Sequence, residues 1–288
     1  PSGAIWKYPC NYSVVQHALG IIVHSEFSKK LARTWYGNEV VKDWHVIPHL
    51  RVTHNNVIDK IVVRKHLNIP HDAFVICSFG ILYRTKCNHR LLEAFLASKL
   101  SKNEKCYLIF VGEYFKEDYS EKLIDTINRS SIAKRIIITG WVDSITFKKY
   151  LACADVAVQL RTLSRGETSG TVLDCMNYGL PTIVNAHGSM AELPKDAVYM
   201  LKDDFTDEEL TAALEVLWVD ENLRKTIGNR AKEIIQKKHN PIECAEQYAE
   251  VIENLYSQSM SGEHSLIREI AKFEAHIPNE GECINISR

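Results

Sequence analysis

Between Glu167 and Asp174 the chain reads ETSGTVLD, a set of residue types and spacings suited to holding a phosphorylated sugar. In a helix that begins with Ser169, Gly170 and Thr171, the first backbone N–H groups lack intrahelical partners and the positive end of the dipole lies there, with no bulky side chain to exclude an anion. Glu167 precedes that start and Asp174 lies inside the helix. A ligand anchored by its phosphate would therefore meet one carboxylate at the loop and a second along the helix, each able to accept hydroxyl hydrogen bonds. Phosphate for the N–H groups and hydroxyls for the acids describe a sugar nucleotide. An N-cap beside a solvated acid would account for Thr168, Ser169 and Asp174 only one at a time.

Such a loop needs a strand before it and a stop after it. Residues 154–160 (ADVAVQL) form a short apolar run of the kind expected for a buried parallel strand. Val172, Leu173, Met176 and Asn177 then recur at helical spacing until Gly179 ends the helix, and Pro181 opens a further strand over 182–185. The same alternation runs upstream. Strands are expected at 73–80 (AFVICSFG), 106–112 (CYLIFVG) and 135–142 (RIIITGWV), with helices at 88–100, 120–130 and 145–152. This pattern predicts an α/β, Rossmann-like parallel sheet with right-handed crossovers, whose ligands bind beyond the C-terminal strand ends. Gly80, Gly112, Gly140 and Glu167 all fall at or just past such ends. Before this sheet, residues 20–25, 26–36 and 44–48 read as strand, helix and strand, and 59–66 as a basic stretch. After it come an acidic helix start at 203–210 and helices at 221–238, 241–257 and 266–273 before a polar tail.

Composition narrows the function classes. With 288 residues, 45% of them hydrophobic, and a net charge of −1, the chain can bury a sizeable core but has no global field for nucleic acid. Any anion site must be local. Eight cysteines without a CxxC, several inside apolar runs, fit buried thiols in a reducing cytoplasm. No segment has transmembrane length, and no zinc-ligand spacing is present.

The stretch RGETSGTVLDCMNYGLPTIVNAHGSMAELP (165–194) resembles the donor-binding signature of the retaining GT-B glycosyltransferases of family 4, in which two acids precede a Met, Gly and Pro pattern. Met176, Gly179 and Pro181 match, the second acid is Asp174, and Glu167 stands seven positions before it, one residue closer than in the common pattern. The resemblance covers residues 20–257, in the family's order. It implies transfer of a sugar from a nucleotide-diphosphate sugar to an acceptor hydroxyl with retention, without a metal or other cofactor. Glu167 would hold the donor sugar and Asp174 the ribose. Lys86, six residues after Gly80, would bind the diphosphate. The family's accompanying Arg position is Ile81 here, and Arg84 is the nearby cation expected to serve. Thr168, Ser169, Gly170 and Thr171 would cradle phosphate, Gly140 and Trp141 would line the base through backbone groups with the Trp141 side chain in the core, and Gly188 would lie near the sugar and phosphates. The resemblance also implies that residues 1–58 are the end of a truncated acceptor domain and hinge, 59–240 the donor domain, and 241–288 a crossing helix and tail. The expected acceptor is a glycan or lipid-linked glycan, the expected location cytoplasmic or peripheral at a membrane, and a missing domain or a second copy the expected partner. Other readings are a sugar-nucleotide-binding module inactive by itself, a phosphorylase, or a nucleotide-sugar epimerase.

Overall fold

The computed structural model describes residues 9–54 and 59–274. Continuous apolar runs produce strands buried on both faces: β3 (Phe74–Phe79), β4 (Cys106–Val111), β6 (Val156–Gln159) and β7 (Thr182–Asn185). With β5 (Ile136–Ile138) and β8 (Tyr199–Leu201) they form a six-stranded parallel sheet in the order β5-β4-β3-β6-β7-β8. Chain order therefore reverses between β3 and β6, the doubly wound arrangement whose crevice opens at that point. A separate parallel pair, β1 (Ile21–Val23) with β2 (Trp44–Val46), precedes it.

Helices cover both faces because side chains alternate along each strand. Ile76, Leu108 and Phe110 pack with Leu91, Leu92 and Phe95 of α4 (Asn88–Ala97) and with Leu210, Leu214 and Leu217 of α8 (Asp207–Val219). α5 (Asp118–Arg129) adds Leu123 and Ile127 to that layer. On the other face Val75, Cys77 and Phe79 meet Leu151 and Cys153 of α6 (Ser144–Cys153) and Val63 of α3 (Lys60–His66). Val172, Leu173 and Met176 of α7 (Gly170–Asn177) pack with Ala231, Ile234 and Ile235 of α9 (Glu221–Lys238). Among the described residues, six cysteines are buried free thiols.

Three features depart from the sequence expectation. The basic stretch at 59–66 is the capped helix α3: Asp59 accepts Ile61 N at 2.9 Å, Val63 enters the core, and Arg64, 5% exposed, pairs with Asp155 at 2.7 Å while donating to the carbonyls of His71 and Cys153. The basic stretch is thus drawn inward at Arg64 by one partly buried partner, Asp155. The helices expected at 241–257 and 266–273 are a single helix, α10 (Pro241–Glu274), because the Ser- and Gly-containing segment between them contains no proline to stop it. Helix α1 (Pro9–His17) and strand β8 were not anticipated, being too short and mixed to show a period. Of the expected domain limits, the one at 58 and the tail beyond 274 lie outside the described residues. α10 reaches β1: the Leu255 side chain fills the space over Gly20, and the Cys244 thiol donates to Pro48 O at 3.4 Å.

The close approach of α9 to the turn after α7 generates a test. A Cβ on Gly228 would lie 2.2 Å from Gly179 O, a backbone atom that no rotamer change can clear, whereas Gly262 in α10 has open space around it. Gly228→Ala should cost about 1–3 kcal/mol in urea denaturation, and Gly262→Ala should cost nothing or stabilise by up to about 1 kcal/mol.

Candidate functional site

Strands β3 and β6 pair only at Ile76 with Val156 and Cys77 with Ala157. Beyond that point the sheet parts, and the buried Gln159 spans the gap, its amide oriented to accept Phe79 N at 2.7 Å and donate to Phe79 O at 3.2 Å. Gly80 follows at φ +98°, where a left-handed backbone favours glycine, and a Cβ there would stand 2.4 Å from Lys86 Nζ and 3.9 Å from Thr171 Cγ2. The space of the missing side chain is therefore where the ammonium meets the first turn of α7.

The loop that carries Lys86 is fixed at both ends. Buried Asn88 accepts Tyr83 N at 3.1 Å, a short 3-10 turn runs over Arg84–Lys86, and Thr85 O accepts Thr162 N at 2.9 Å, joining this loop to the one after β6. Burial, and after it the charge of Arg161, lower the Lys86 pKa to about 8. Arg84 lies elsewhere: its guanidinium is 5.9 Å from the Tyr119 ring centroid and lines a separate cavity of about 200 Å³ with His89 and Lys122.

The Glu167 carboxylate accepts Arg165 N at 2.7 Å, lies 3.4 Å from Arg161 Nη1, and is about half exposed, open to a ligand. Its loop is braced from two sides. Ser189 Oγ donates to Glu167 O at 2.9 Å beside Gly188, whose φ of +60° and closeness to Ser164 leave no room for a Cβ, and Ser28 Oγ of α2 (Glu26–Tyr36) donates to Gly166 O. Gly188 thus acts on the loop that bears the acid. Thr168 Oγ1 is buried with no hydrogen-bond partner among the described residues. Ser169 is buried, and its side chain does not cap α7, so the leading N–H groups of Gly170 and Thr171 keep their donors.

Asp174 already has a protein partner. Arg51 Nε lies 2.8 Å from its Oδ1, and Arg51 Nη2 donates to Gly170 O at 3.0 Å. Burial raises the Asp174 pKa, and the Arg51 charge opposes that rise. The segment 49–54 continues along α7: Asn177 donates to Val52 O at 2.9 Å and accepts His54 N at 3.0 Å, and the His54 ring stacks on Tyr178 with centroids 4.1 Å apart.

Gly140, at φ +69°, follows Thr139, whose hydroxyl accepts Gly112 N at 3.2 Å and so aligns the β4 and β5 ends. The Trp141 side chain is 74% exposed, which corrects the expected core position: it follows a left-handed glycine that turns the chain out of the sheet. His187 pairs with Asp203 at 2.8 Å, and Glu192 accepts the N–H groups of Glu26 and Phe27, capping α2. An open cleft of about 640 Å³, lined by Ile22, Leu31, Trp35, His24, Arg165 and Glu167 among others, lies in front of the Glu167 loop.

Sequence reasoning missed Arg161, Arg51, Gln159 and Asn185. Arg161 left one signal, a cation just past a buried strand end. Arg51 left none, since its partner lies more than a hundred residues away.

Known proteins resemble this chain in sequence and fold. The chain is 26% identical over 175 residues to the lipopolysaccharide core biosynthesis glycosyltransferase LpsE of Rhizobium meliloti, spanning 60% of this chain and 48% of that protein. It is 26% identical over 185 residues to an uncharacterised glycosyltransferase of Methanocaldococcus jannaschii, spanning 62% of this chain and 45% of that one. It spans about half the length of these curated relatives. The solved structure of HepE from Anabaena in complex with UDP and glucose superposes with a TM-score of 0.73 at 20% identity, over 84% of this chain and 65% of that one, so the fold is of the GT-B type. Residues 59–234 match the model of the glycosyl transferases of group 1, and the chain belongs to that family.

Proposed function

We propose that this protein binds a nucleotide-diphosphate sugar at the crevice between β3 and β6 and transfers the sugar to an acceptor hydroxyl with retention of anomeric configuration. One observation carries the reading: Lys86 Nζ, the uncapped first turn of α7 and the half-exposed Glu167 carboxylate are gathered at the switch point of a doubly wound sheet. As the bond between sugar and phosphate breaks, negative charge grows on the leaving diphosphate. Lys86 and the N–H groups of Gly170 and Thr171 meet that charge without reorganising. Glu167 holds sugar hydroxyls and Asp174 the ribose, the latter after yielding part of its contact with Arg51. Gly140 and Trp141 offer backbone groups to the base. No metal takes part in this scheme, so turnover should survive EDTA.

The same reading makes 59–240 the donor domain, with the β1–β2 pair belonging to an acceptor domain and α10 crossing between them. It sets the reaction on the cytoplasmic side, with a glycan or lipid-linked glycan as acceptor. The complex of HepE with UDP and the role of LpsE in lipopolysaccharide core synthesis support a nucleotide donor and a glycan product. A second reading, a sugar-nucleotide-binding module that turns over only with a further domain or partner, is favoured by the acceptor side. Among the described residues only β1, β2, α1, α2 and nearby loops face the Glu167 loop across the open cleft.

Calorimetric titration with UDP, GDP and ADP tests the reading. One nucleotide should bind, and Lys86→Ala should weaken it by about tenfold or more, the scale of a lost hydrogen bond to a charged group. Binding by none of the three even at millimolar concentration refutes the donor site. Glu167→Ala should leave the free diphosphate unaffected and weaken only the sugar-bearing form. Because the Lys86 pKa is about 8 and its charged form binds phosphate, affinity should be full below that pH and fall as pH rises through it, by up to about tenfold per pH unit, and the fall should vanish in Lys86→Ala.

A further inference from the structure

Arg161 stands where the two loops of the crevice are joined. Thr162 N donates to Thr85 O at 2.9 Å, so Arg161 and Lys86 flank one hydrogen bond between the loops. The Arg161 backbone is held independently of its side chain: its N–H donates to Asn185 Oδ1 at 2.8 Å, and its carbonyl accepts Asn185 Nδ2 at 2.7 Å. The side chain is 22% exposed, and its one hydrogen bond among the described residues is the 3.4 Å contact to Glu167. That contact is long for an ion pair and leaves most of the guanidinium's five donors uncommitted. Its charge is also felt at Lys86, where it opposes protonation of the buried amine. Two cations converge on one crevice, and a single half-exposed carboxylate faces one of them.

Such an arrangement is suited to a multiply charged anion. A diphosphate between Lys86 and Arg161 would relieve their repulsion, and a planar guanidinium grips two phosphate oxygens at once. Ile81 brings no charge to the β3 loop, and Arg84 is stacked over Tyr119. Resting on the donor-site reading above, we infer that Arg161 is the second cation of the diphosphate clamp, supplied from the loop after β6, and that it exchanges its loose contact with Glu167 for phosphate oxygens when the donor binds. The exchange frees the Glu167 carboxylate for the sugar at the moment the sugar arrives. An exposed ion pair is worth little, so leaving it costs little.

The test compares wild type with Arg161→Ala, Arg161→Lys and Arg84→Ala in calorimetric titrations with UDP, GDP and ADP and with uridine, guanosine and adenosine, after thermal melts establish that each variant folds. The diphosphate that binds wild type should bind Arg161→Ala about tenfold or more weakly, with nucleoside binding unchanged and Arg161→Lys recovering part of the loss. In Arg161→Ala the alkaline fall in affinity should also move to higher pH, because Lys86 loses a neighbouring cation, a shift that a merely structural role would not produce. Wild-type diphosphate affinity in Arg161→Ala, an equal loss for nucleoside, or a loss carried by Arg84→Ala instead overturns the assignment while the donor site stands. Failure of all three diphosphates to bind wild type refutes the donor site itself, and the clamp with it.

Discussion

The parting of β3 from β6 is the constraint on which the rest depends. A parallel sheet gains nothing from opening a ladder that could be closed, and backbone groups left without partners in a dry interior are costly. Here the Gln159 side chain takes the place of the absent backbone partner at Phe79, so the sheet splits without leaving polar atoms bare. The split sends one loop upward with Lys86 and the other with Arg161 and Glu167, and the hydrogen bond from Thr162 to Thr85 then fixes their separation.

Electrostatics in the crevice follows from that geometry. Burial and a second cation lower the Lys86 pKa to about 8, so its charge is less favoured there than in water until an anion enters. Glu167 is held by its own loop backbone through Arg165 N, and the carboxylate keeps its place whether or not Arg161 touches it. Asp174 differs, since its counter-charge comes from the segment that precedes the sheet and its burial would otherwise favour the neutral acid.

How much of this could be read in the sequence depended on the range of the interaction. Buried strands, the glycines just past β3, β4 and β5 and the turn from β6 into α7 are local patterns, and they stand where they were expected. Glu167 and Asp174 stood out by residue type and spacing, whereas Lys86 was marked by the resemblance. Trp141 was misread because its exposure depends on the φ of Gly140, and the helix α3 went unread because the destination of Arg64 is an aspartate ninety-one residues further on. Arg51 and Arg161 acquire meaning only when the loops after β3 and β6 and the segment before the sheet are brought together, which no period in the sequence records.

The segment 49–54 precedes the sheet in the chain and yet is bound to it. Arg51 N donates to His239 O at 2.8 Å, His239 Nδ1 contacts His49 O at 2.8 Å, and Asn177 and Asp174 hold the rest against α7. For modular engineering this moves the seam. A chimera cut at the start of α3 would exchange the sheet but inherit a foreign strap, stripping Asp174 of its counter-charge and Asn177 of both backbone partners. A graft beginning before His49 carries the strap with the helix it serves.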